Sequence, residues 1–259
     1  MAVTKEILTL AVETGDALLR NGAEVYRVED TVLHILKAYE ITDCDVYVLS
    51  NGIFASANEN KDDACSMIRH VPLGSTHLGR IAALNQLSRE ICSHECSLRD
   101  AWVRLERCKS IPTNKNSVEI FFCGLGSACF CYLFGGAVLD AIVAFFIGLA
   151  LQLFLILSYR HLESKFITNI LGSGLVTLFS LLVLYTGLPI LQDKIVIGDI
   201  MPLVPGIALT TSIRDFFNGD YLSGTIHIID AVLTAFSIAV GVGAVITIFR
   251  LVTGGALLG

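Results

Sequence analysis

The first forty residues of the chain repeat apolar positions at helical spacing. Ile7, Leu8 and Ala11 share one face of a first segment, and the Asn-Gly pair that follows Arg20 is typical of a helix end. A second segment, residues 23–40, continues with the same period. Two amphipathic helices are therefore predicted at the start of the chain.

Between residues 45 and 59 the pattern changes from a helical period to β-prone runs. Two such runs flank Asn51-Gly52, a pair that is typical of a type I′ hairpin turn. The same reasoning predicts a third strand at residues 65–71 and helices at about 76–94 and 98–109. Helices that cover a small antiparallel sheet define an α+β domain, which we expect over residues 1–116.

From about residue 117 onwards the chain consists of apolar runs of roughly 17–22 residues, the length that crosses a bilayer as a helix. Turns and charged residues separate these runs. Five spanning segments are predicted, at about 118–134, 137–157, 166–186, 196–216 and 224–249. The predicted fold is an integral membrane α-helical bundle of about five helices over residues 117–259, preceded by the small cytoplasmic α+β domain.

Charge supports the same boundary. Residues 1–116 hold 13 of the 18 Lys and Arg residues and 16 of the 24 Asp and Glu residues. Acids at Glu6, Glu13 and Asp16 stand where a signal peptide would need an apolar core, so we expect this part to stay in the cytoplasm. The net charge of −6 and the lack of a basic stripe argue against nucleic acid as a partner.

The cationic residues around the predicted spans set the orientation. The positive-inside rule is obeyed if the N-terminus is cytoplasmic and the C-terminus lies outside, in a cell inner membrane. Six cationic residues then lie inside: Arg107, Lys109, Lys115, Arg160, Lys165 and Arg214. Lys194 and Arg250 then lie outside.

The eight cysteines do not follow the spacing of a metal site or a disulfide framework. Cys92 and Cys96 are four residues apart around His94, but no second ligand pair accompanies them. Free thiols in a reducing cytosol are the simpler interpretation. No metal and no cofactor are expected.

A polar motif, residues 21–31, opens the second predicted helix. Acids early in a helix and a Glu24–Arg27 pair three residues apart are ordinary stabilising features. The alternative is that Glu24, Tyr26, Arg27 and Asp30 line a groove and bind a polar ligand or partner. No nucleophile elbow, phosphate loop or HExxH motif accompanies them, so an enzyme is not expected.

Two predicted spans carry polar stripes at helical spacing. Asp140 begins one in the second span, and His227 and Asp230 begin another in the fifth. A charge near the bilayer centre costs roughly 2.5–3.5 kcal/mol, so Asp230 should face protein or water. It is either a structural acid paired with Arg214 or a proton or substrate site.

The fourth predicted span contains a helix break at Pro202 and Pro205, followed by Gly206. A helix that restarts there has about twelve residues, roughly 18 Å, so its N-terminus should lie near the bilayer midplane. Such an end favours a carboxylate, and broken helices of this kind build substrate sites in secondary transporters. The alternative is a simple proline kink that ends in Arg214 and Asp215 at the interface.

Three separated motifs resemble the threonine/serine exporter family, some of whose bacterial members form dicarboxylate-export pairs. They are NGAEVYRVEDT (residues 21–31), FGGAVLDA (134–141) and PLVPGIALTTSIRDFFNGDYLSG (202–224). The resemblance implies a cytoplasmic α+β domain, a five-span bundle and proton-driven export of small amino acids or dicarboxylates. It also implies a separate membrane protein of four or five spans that supplies a second transporter half.

The leading hypothesis is a subunit of a proton-coupled antiporter that exports a small carboxylate-bearing solute across the lipid bilayer; a homo-oligomer is compatible with this. The expected solute-binding residues are Pro205, Gly206, Thr210, Thr211, Arg214 and Asp215. The expected proton-coupling residues are Asp230, Asp140 and His227. The rival hypotheses are a membrane-anchored hydrolase or sensor that acts through the cytoplasmic domain, and a structural scaffold.

Overall fold

The structure is a computed structural model that describes residues 2–58, 64–72, 74, 76–158 and 164–253. Arg160, one of the cations that set the predicted orientation, lies outside the described residues. The chain divides into two compact units. Unit 1 comprises Met1–Thr113 and Thr210–His227, and unit 2 comprises Asn114–Leu209 and Ile228–Gly259.

Unit 1 begins with the two predicted amphipathic helices, α1 (Ala2–Arg20) and α2 (Val25–Ala38). Helix α1 ends in a Schellman motif, in which the Ala23 N–H donates to the Leu18 carbonyl at 3.1 Å. Gly22 has a φ of +82°, and a Cβ there would lie 2.7 Å from the Thr76 hydroxyl. Only glycine therefore suits this helix end.

A three-stranded antiparallel sheet follows, with the order β1 (Asp43–Leu49), β2 (Gly52–Asn58) and β3 (Ala64–His70). The predicted hairpin and third strand are present. The predicted turn is wrong by one residue, because Leu49 pairs with Gly52 and the loop is Ser50-Asn51. Neither loop residue has the positive φ that a type I′ turn requires, and Gly52 lies in the sheet itself, paired also with His70.

Two more helices, α3 (Leu78–Cys92) and α4 (Leu98–Lys109), complete the first 113 residues. The Ser97 hydroxyl caps α4 by accepting the Asp100 N–H at 3.2 Å. The core of unit 1 is built from large aliphatic side chains of the helices and the sheet. Its fully buried members are Leu8, Leu10, Leu18, Ile35, Leu36, Ile53, Leu84, Ile91 and Leu105.

The remainder of the chain is helical in the described residues. Its elements are α5 (Asn116–Leu133), α6 (Val138–Ser158), α7 (Lys165–Tyr185), α8 (Gln192–Ile200), a 3-10 helix (Met201–Leu203), α9 (Gly206–Asn218) and α10 (Tyr221–Thr253). Four of these helices, α5, α6, α7 and α10, are long and apolar enough to cross a membrane. The pair formed by α8 with its 3-10 turn and α9 is bent by 59°. Counted as one broken span, this pair raises the number to five.

Helices of unit 2 meet through small residues. A Cβ at Gly198 in α8 would lie 2.7 Å from the Cys131 backbone nitrogen in α5, and one at Gly241 in α10 would lie 2.2 Å from the Ile170 carbonyl in α7. Such close backbone approach is typical of helices packed within a membrane. Large apolar side chains face outwards instead: Phe122, Phe146 and Phe236 are each more than 60% exposed.

Candidate functional site

The helix break predicted at the prolines is present between α8 and α9. Val204 is extended, with φ −64° and ψ 130°, as the residue before a proline prefers. The Gly206 N–H donates to the Val204 carbonyl at 2.8 Å, and the Leu209 N–H donates to the Pro205 carbonyl at 3.1 Å. The space around Gly206 is open, since a Cβ there would meet no atom within 4 Å.

The rest of α9 belongs to unit 1 and carries four predicted solute-binding residues. Thr210 and Arg214 are exposed and lie four residues apart, on one line along the helix. Thr211 is half-buried, and Asp215, four residues after it, is fully buried. The helix therefore offers one exposed polar line and one that leads into the interior of unit 1.

Arg214 forms an ion pair with Glu24, the residue that precedes α2. Glu24 also lies 3.0 Å from the Arg27 guanidinium. Two motifs that the sequence analysis treated separately, one at the start of α2 and one in α9, are thus brought together. Because Arg214 is half exposed, the pair contributes only about 0–1 kcal/mol, so it orients the side chain more than it stabilises the unit.

The other members of the predicted N-terminal polar motif divide into two groups. The Arg27 Nε donates to the Tyr26 hydroxyl at 3.0 Å, and its guanidinium carbon lies 5.8 Å from the centre of the Tyr26 ring. Asp30 lies 3.1 Å from His34, and both side chains are exposed. Tyr26 and Arg27 therefore belong with Glu24, whereas the contacts of Asp30 are made one turn further along α2.

Asp215 is a fully buried acid, and neither of its carboxylate oxygens has a hydrogen-bond partner among the described residues. The Nε2 of His227 lies 3.9 Å from its Oδ2, close enough for an ion pair when the imidazole is protonated. Asp215 was predicted to bind solute and His227 to bind a proton. The structure places them side by side, so that binding of one proton to either group changes the net charge of the pair.

Long-range hydrogen bonds join the hairpin to the start of α10 and to α2. The Ser50 N–H donates to the Ser223 hydroxyl at 3.1 Å, and both residues are buried. The Glu29 carboxylate accepts the Val48 N–H at 3.3 Å. Burial raises the pKa of Glu29, the nearby charge of Asp220 raises it further, and the Val48 hydrogen bond opposes both. The sequence analysis missed these contacts.

In unit 2, Asp230 has a cationic partner. Its Oδ2 accepts a hydrogen bond from the Lys165 ammonium at 2.8 Å. The predicted structural alternative, in which Arg214 is the partner, is corrected: the partner is Lys165, while Arg214 pairs with Glu24.

Asp140 is buried at the start of α6 and bonds to backbone groups with both oxygens. One accepts the Ala137 N–H at 2.7 Å and the other accepts the Leu191 N–H, just before α8, at 2.9 Å. Backbone donors at a helix start hold a carboxylate firmly in place. This geometry favours a structural role, in which Asp140 joins the beginnings of α6 and α8.

The sequence analysis did not select Asp199, which is fully buried near the end of α8. Ser127 of α5 is close enough to interact with its carboxylate, but by distance and angle neither carboxylate oxygen has a hydrogen-bond partner within the described part of the chain. An acid within the apolar run IVIGDI was the available signal. No polar residue stands three or four positions away from Asp199, so it does not belong to a polar stripe.

The described residues contain no group of three or more His, Cys, Asp or Glu side chains that could hold a metal ion. The thiols of Cys92 and Cys96 are half-buried, and burial is the main cause that raises the pKa of each. Both thiols therefore remain in their neutral form at physiological pH.

Four helices long and apolar enough to cross a membrane, or five with the broken pair, are the pattern of a multi-pass helical membrane protein. The family described as "Putative threonine/serine exporter" matches residues 9–249, and the chain belongs to this family. The resemblance predicted from the three motifs is thereby confirmed.

Two relatives give the scale of the similarity. The chain is 25% identical over 247 residues to the "Probable threonine/serine exporter" of Mycobacterium tuberculosis. This alignment covers 92% of this chain and 45% of that protein. It is 23% identical over 258 residues to the "Probable succinate transporter subunit YjjP" of Escherichia coli. That alignment covers 95% of this chain and 96% of that protein. The chain thus spans less than half of the first relative. No solved structure matches it.

Proposed function

We propose that this chain is a subunit of a secondary exporter of small carboxylate-bearing metabolites, either threonine- or serine-like amino acids or a dicarboxylate such as succinate. The observation that carries the proposal is the break between α8 and α9, bent by 59°, with a buried acid on each side of it in the chain, Asp199 and Asp215. Family membership over residues 9–249 supports the same function.

The proposed solute site is the first part of α9. Its helix start at Pro205 and Gly206 carries a partial positive charge that suits a carboxylate, and the space around Gly206 is open. Thr210 and Thr211 follow as hydroxyl donors. Arg214, which Glu24 holds by an ion pair, continues the exposed polar line and provides a cation for a second carboxylate or for passage of the solute.

Proton coupling is part of the proposal. Of the three groups predicted for it, Asp230 is balanced by Lys165, and Asp140 is bonded to two backbone N–H groups. His227 instead faces the buried Asp215 at 3.9 Å. Because one proton can change the net charge of that pair, the geometry favours His227 over the two acids.

The proposal includes a second subunit and a topology. The Escherichia coli relative of nearly equal length is named a transporter subunit, which supports a separate small membrane protein of four or five spans as partner. We place the complex in the cell inner membrane as an antiporter, with the N-terminus in the cytoplasm and the C-terminus outside. The excess of cationic residues on the proposed inner side supports this orientation.

Export from cells that lack their own exporters tests the proposal. The chain is expressed alone and together with the small membrane protein encoded beside it, and intracellular threonine, serine and succinate are followed over time. The pair should lower one of them. Asp215→Asn should slow this export, whereas Asp193→Asn, at an acid whose side chain is 63% exposed, should not. If no combination changes any of the three solutes, the proposed solute class is wrong.

A second candidate function, ligand sensing by unit 1, is favoured by a cavity of about 480 Å³. Its polar lining is Asp16, Arg20, Asn21, Arg80 and Lys109. The excess of cationic side chains suits a small anion. Adding succinate, serine or phosphate to the full chain should raise the unfolding temperature if the cavity binds one of them. Arg80→Gln should remove that rise, and Arg89→Gln, at an exposed arginine, should keep it.

A further inference from the structure

We propose that Asp199 carries the proton that drives export, and that proton binding there controls the packing of α8 against α5. The inference deepens the proposed function and rests on it. It departs from the sequence-based expectation of Asp230, Asp140 or His227. His227 is the best placed of those three, and Asp199, which the sequence did not select, replaces it here as the site of the driving proton.

The position of Asp199 is the first reason. It is the last residue but one of α8, fully buried, and five residues later the chain reaches the extended Val204 at the helix break. Neither carboxylate oxygen has a hydrogen-bond partner among the described residues. A buried carboxylate that is ionised and unpaired is strongly unfavourable, so this packing suits the neutral, protonated acid.

Within the described part of the chain, the neighbours of Asp199 provide no counter-charge. From α5 it is faced by Ser127, which is itself buried without a partner, and by the thiols of Cys123 and Cys131. On its own helix, the acid Asp193 and the cation Lys194 pair with each other at 3.0 Å, and in α6 Asp140 accepts two backbone N–H groups. The groups that face Asp199 from α5 are two thiols and a hydroxyl.

Helix α7 also packs against α8. It has one cation, Lys165, which forms its ion pair with Asp230. The buried polar residues of α7 are neutral amides and hydroxyls: Asn169, Ser173, Thr177 and Ser180. The charge of an ionised Asp199 would therefore have to be balanced by water or by a solute cation rather than by α7.

Asp199 has no exposure to solvent, and α8 and α5 are in close backbone contact at its neighbour Gly198. A Cβ at Gly198 would lie 2.7 Å from the Cys131 backbone nitrogen and 2.8 Å from the Ser127 carbonyl oxygen. Loss of the proton consequently requires the two helices to separate, so that the carboxylate reaches water. Asp199 thus has two states: protonated and packed, or ionised and hydrated.

These two states suffice for coupling. Asp199 takes up one proton from water on the outer side, forms a neutral carboxyl, and packs against α5. When the contact opens to the inner side, the same O–H bond breaks and the proton passes to water, leaving the carboxylate. One proton thus enters for each solute that leaves, and no other reactant is needed.

The first test uses the chain and its partner subunit in lipid vesicles, with two assays of the same solute. Asp199→Asn should retain exchange of labelled for unlabelled solute, which needs no net proton movement, and should lose flux driven by a pH gradient. Asp199→Glu should retain part of the driven flux. The control is Asp193→Asn on the same helix, at a side chain that is 63% exposed and paired with Lys194; it should keep both activities. Driven flux that survives in Asp199→Asn would overturn the inference.

The second test needs no variant and therefore stands even if Asp199→Asn does not fold. Dicyclohexylcarbodiimide is an apolar reagent that reacts with protonated carboxyl groups. The carboxyl oxygen bonds to the carbodiimide carbon and the acid proton passes to a carbodiimide nitrogen, so the reagent remains attached to the side chain. In the native protein it should modify Asp199, more slowly as the pH rises, and leave Asp193 unmodified. An Asp199 that is not modified at any pH at which the protein stays folded would overturn the inference.

The two proposals fail in different ways. If the wild-type pair exchanges none of the tested solutes but Asp199 is modified in a pH-dependent manner, the proposed solute class is wrong and the proton site stands. If exchange and driven flux are both present and Asp199→Asn changes neither, the exporter stands and the proton is carried elsewhere.

Discussion

Unit 1 and unit 2 pack their elements by opposite means. In unit 1 the core consists of large aliphatic side chains such as Leu8, Leu36 and Ile53, each at most 1% exposed. In unit 2 the helices approach through glycines such as Gly148 and Gly198, and large side chains such as Phe146 lie outside. In water, burial of large apolar groups drives packing; in lipid it gives no such advantage, and close backbone contact takes its place.

The acids differ in a parallel way. In unit 1, Glu13, Glu24 and Glu90 pair with lysine or arginine at partly exposed positions. Asp199 in unit 2 is fully buried, and neither of its oxygens has a hydrogen-bond partner among the described residues. Asp215 of α9 is likewise buried without a hydrogen bond to its oxygens, beside His227 and within reach of the charges of Asp220 and Arg214. A buried acid whose oxygens have no partner calls for an explanation, and a functional role is one. The comparison therefore directs attention to the two acids around the helix break.

The largest effect is expected in the aliphatic core of unit 1. Leu36→Ala should lower the free energy of unfolding by about 2–5 kcal/mol, because it leaves a cavity in a fully buried place. Urea unfolding followed by fluorescence measures this, since the chain has a single tryptophan and Trp102 packs against that core. Leu78→Ala, at a side chain that is 75% exposed, is the control. Equal losses in both variants would contradict the assignment of the core.

A smaller effect is expected where unit 2 packs backbone against backbone. Gly198→Ala places a methyl group 2.7 Å from the Cys131 nitrogen, and such overpacking costs about 1–3 kcal/mol. Alkylation of the buried Cys131 thiol should become faster in this variant. In Gly126→Ala, where the new Cβ meets no atom within 4 Å, alkylation of Cys131 should not become faster. If both alanines act alike, close helix approach is not what holds α8 to α5.

Local patterns were sufficient to predict much of this fold. The apolar period of residues 23–40 corresponds to α2, the β-prone runs around Asn51 correspond to β1 and β2, and the two prolines mark the break before α9. Each of these features depends on residues close together in the chain. The turn type was wrong for the opposite reason: the Ser50 N–H is bonded to Ser223, far away in sequence.

The candidate site was less predictable, because charge pairing is decided by the folded structure. The sequence identified Glu24 and Arg214 as members of separate motifs, and only the structure joins them. Asp230 and Asp199 are both acids in apolar segments, and only Asp230 was selected from the sequence. Their difference is a lysine within 2.8 Å of Asp230 and no hydrogen-bond partner for Asp199 among the described residues, and it depends on helix packing that one sequence does not specify.

The ion pair between Glu24 and Arg214 should contribute little, about 0.2–1 kcal/mol, because the arginine is half exposed. A double-mutant cycle of Glu24→Gln and Arg214→Gln, read by Trp102 fluorescence in urea, measures the coupling directly. Added salt should reduce it. In the control cycle, Asp30→Asn replaces Glu24→Gln, and its coupling with Arg214→Gln should be zero. A coupling that salt leaves unchanged would contradict a pair accessible to solvent.

The smallest effect concerns Glu29 and has a defined pH dependence. Because burial raises the pKa of Glu29 above its ordinary value of 4.5, the folded chain holds this proton more tightly than the unfolded chain. The resulting stabilisation is complete below 4.5 and is lost as the pH rises through the folded pKa. Glutamine cannot ionise and keeps an oxygen for the Val48 N–H. The unfolding free energy of Glu29→Gln, relative to wild type, should therefore increase from about pH 4 to about pH 7.

The charge of Asp220 is one cause of the raised pKa, so it supplies the matched control. In an Asp220→Asn background the pKa of Glu29 should lie closer to its ordinary value. The gain in unfolding free energy that Glu29→Gln shows between the two pH values should then be smaller. A gain of the same size in both backgrounds would mean that burial alone shifts Glu29. No gain in either would mean that Glu29 is fully hydrated in the folded chain, which contradicts its half-buried position beside Val48.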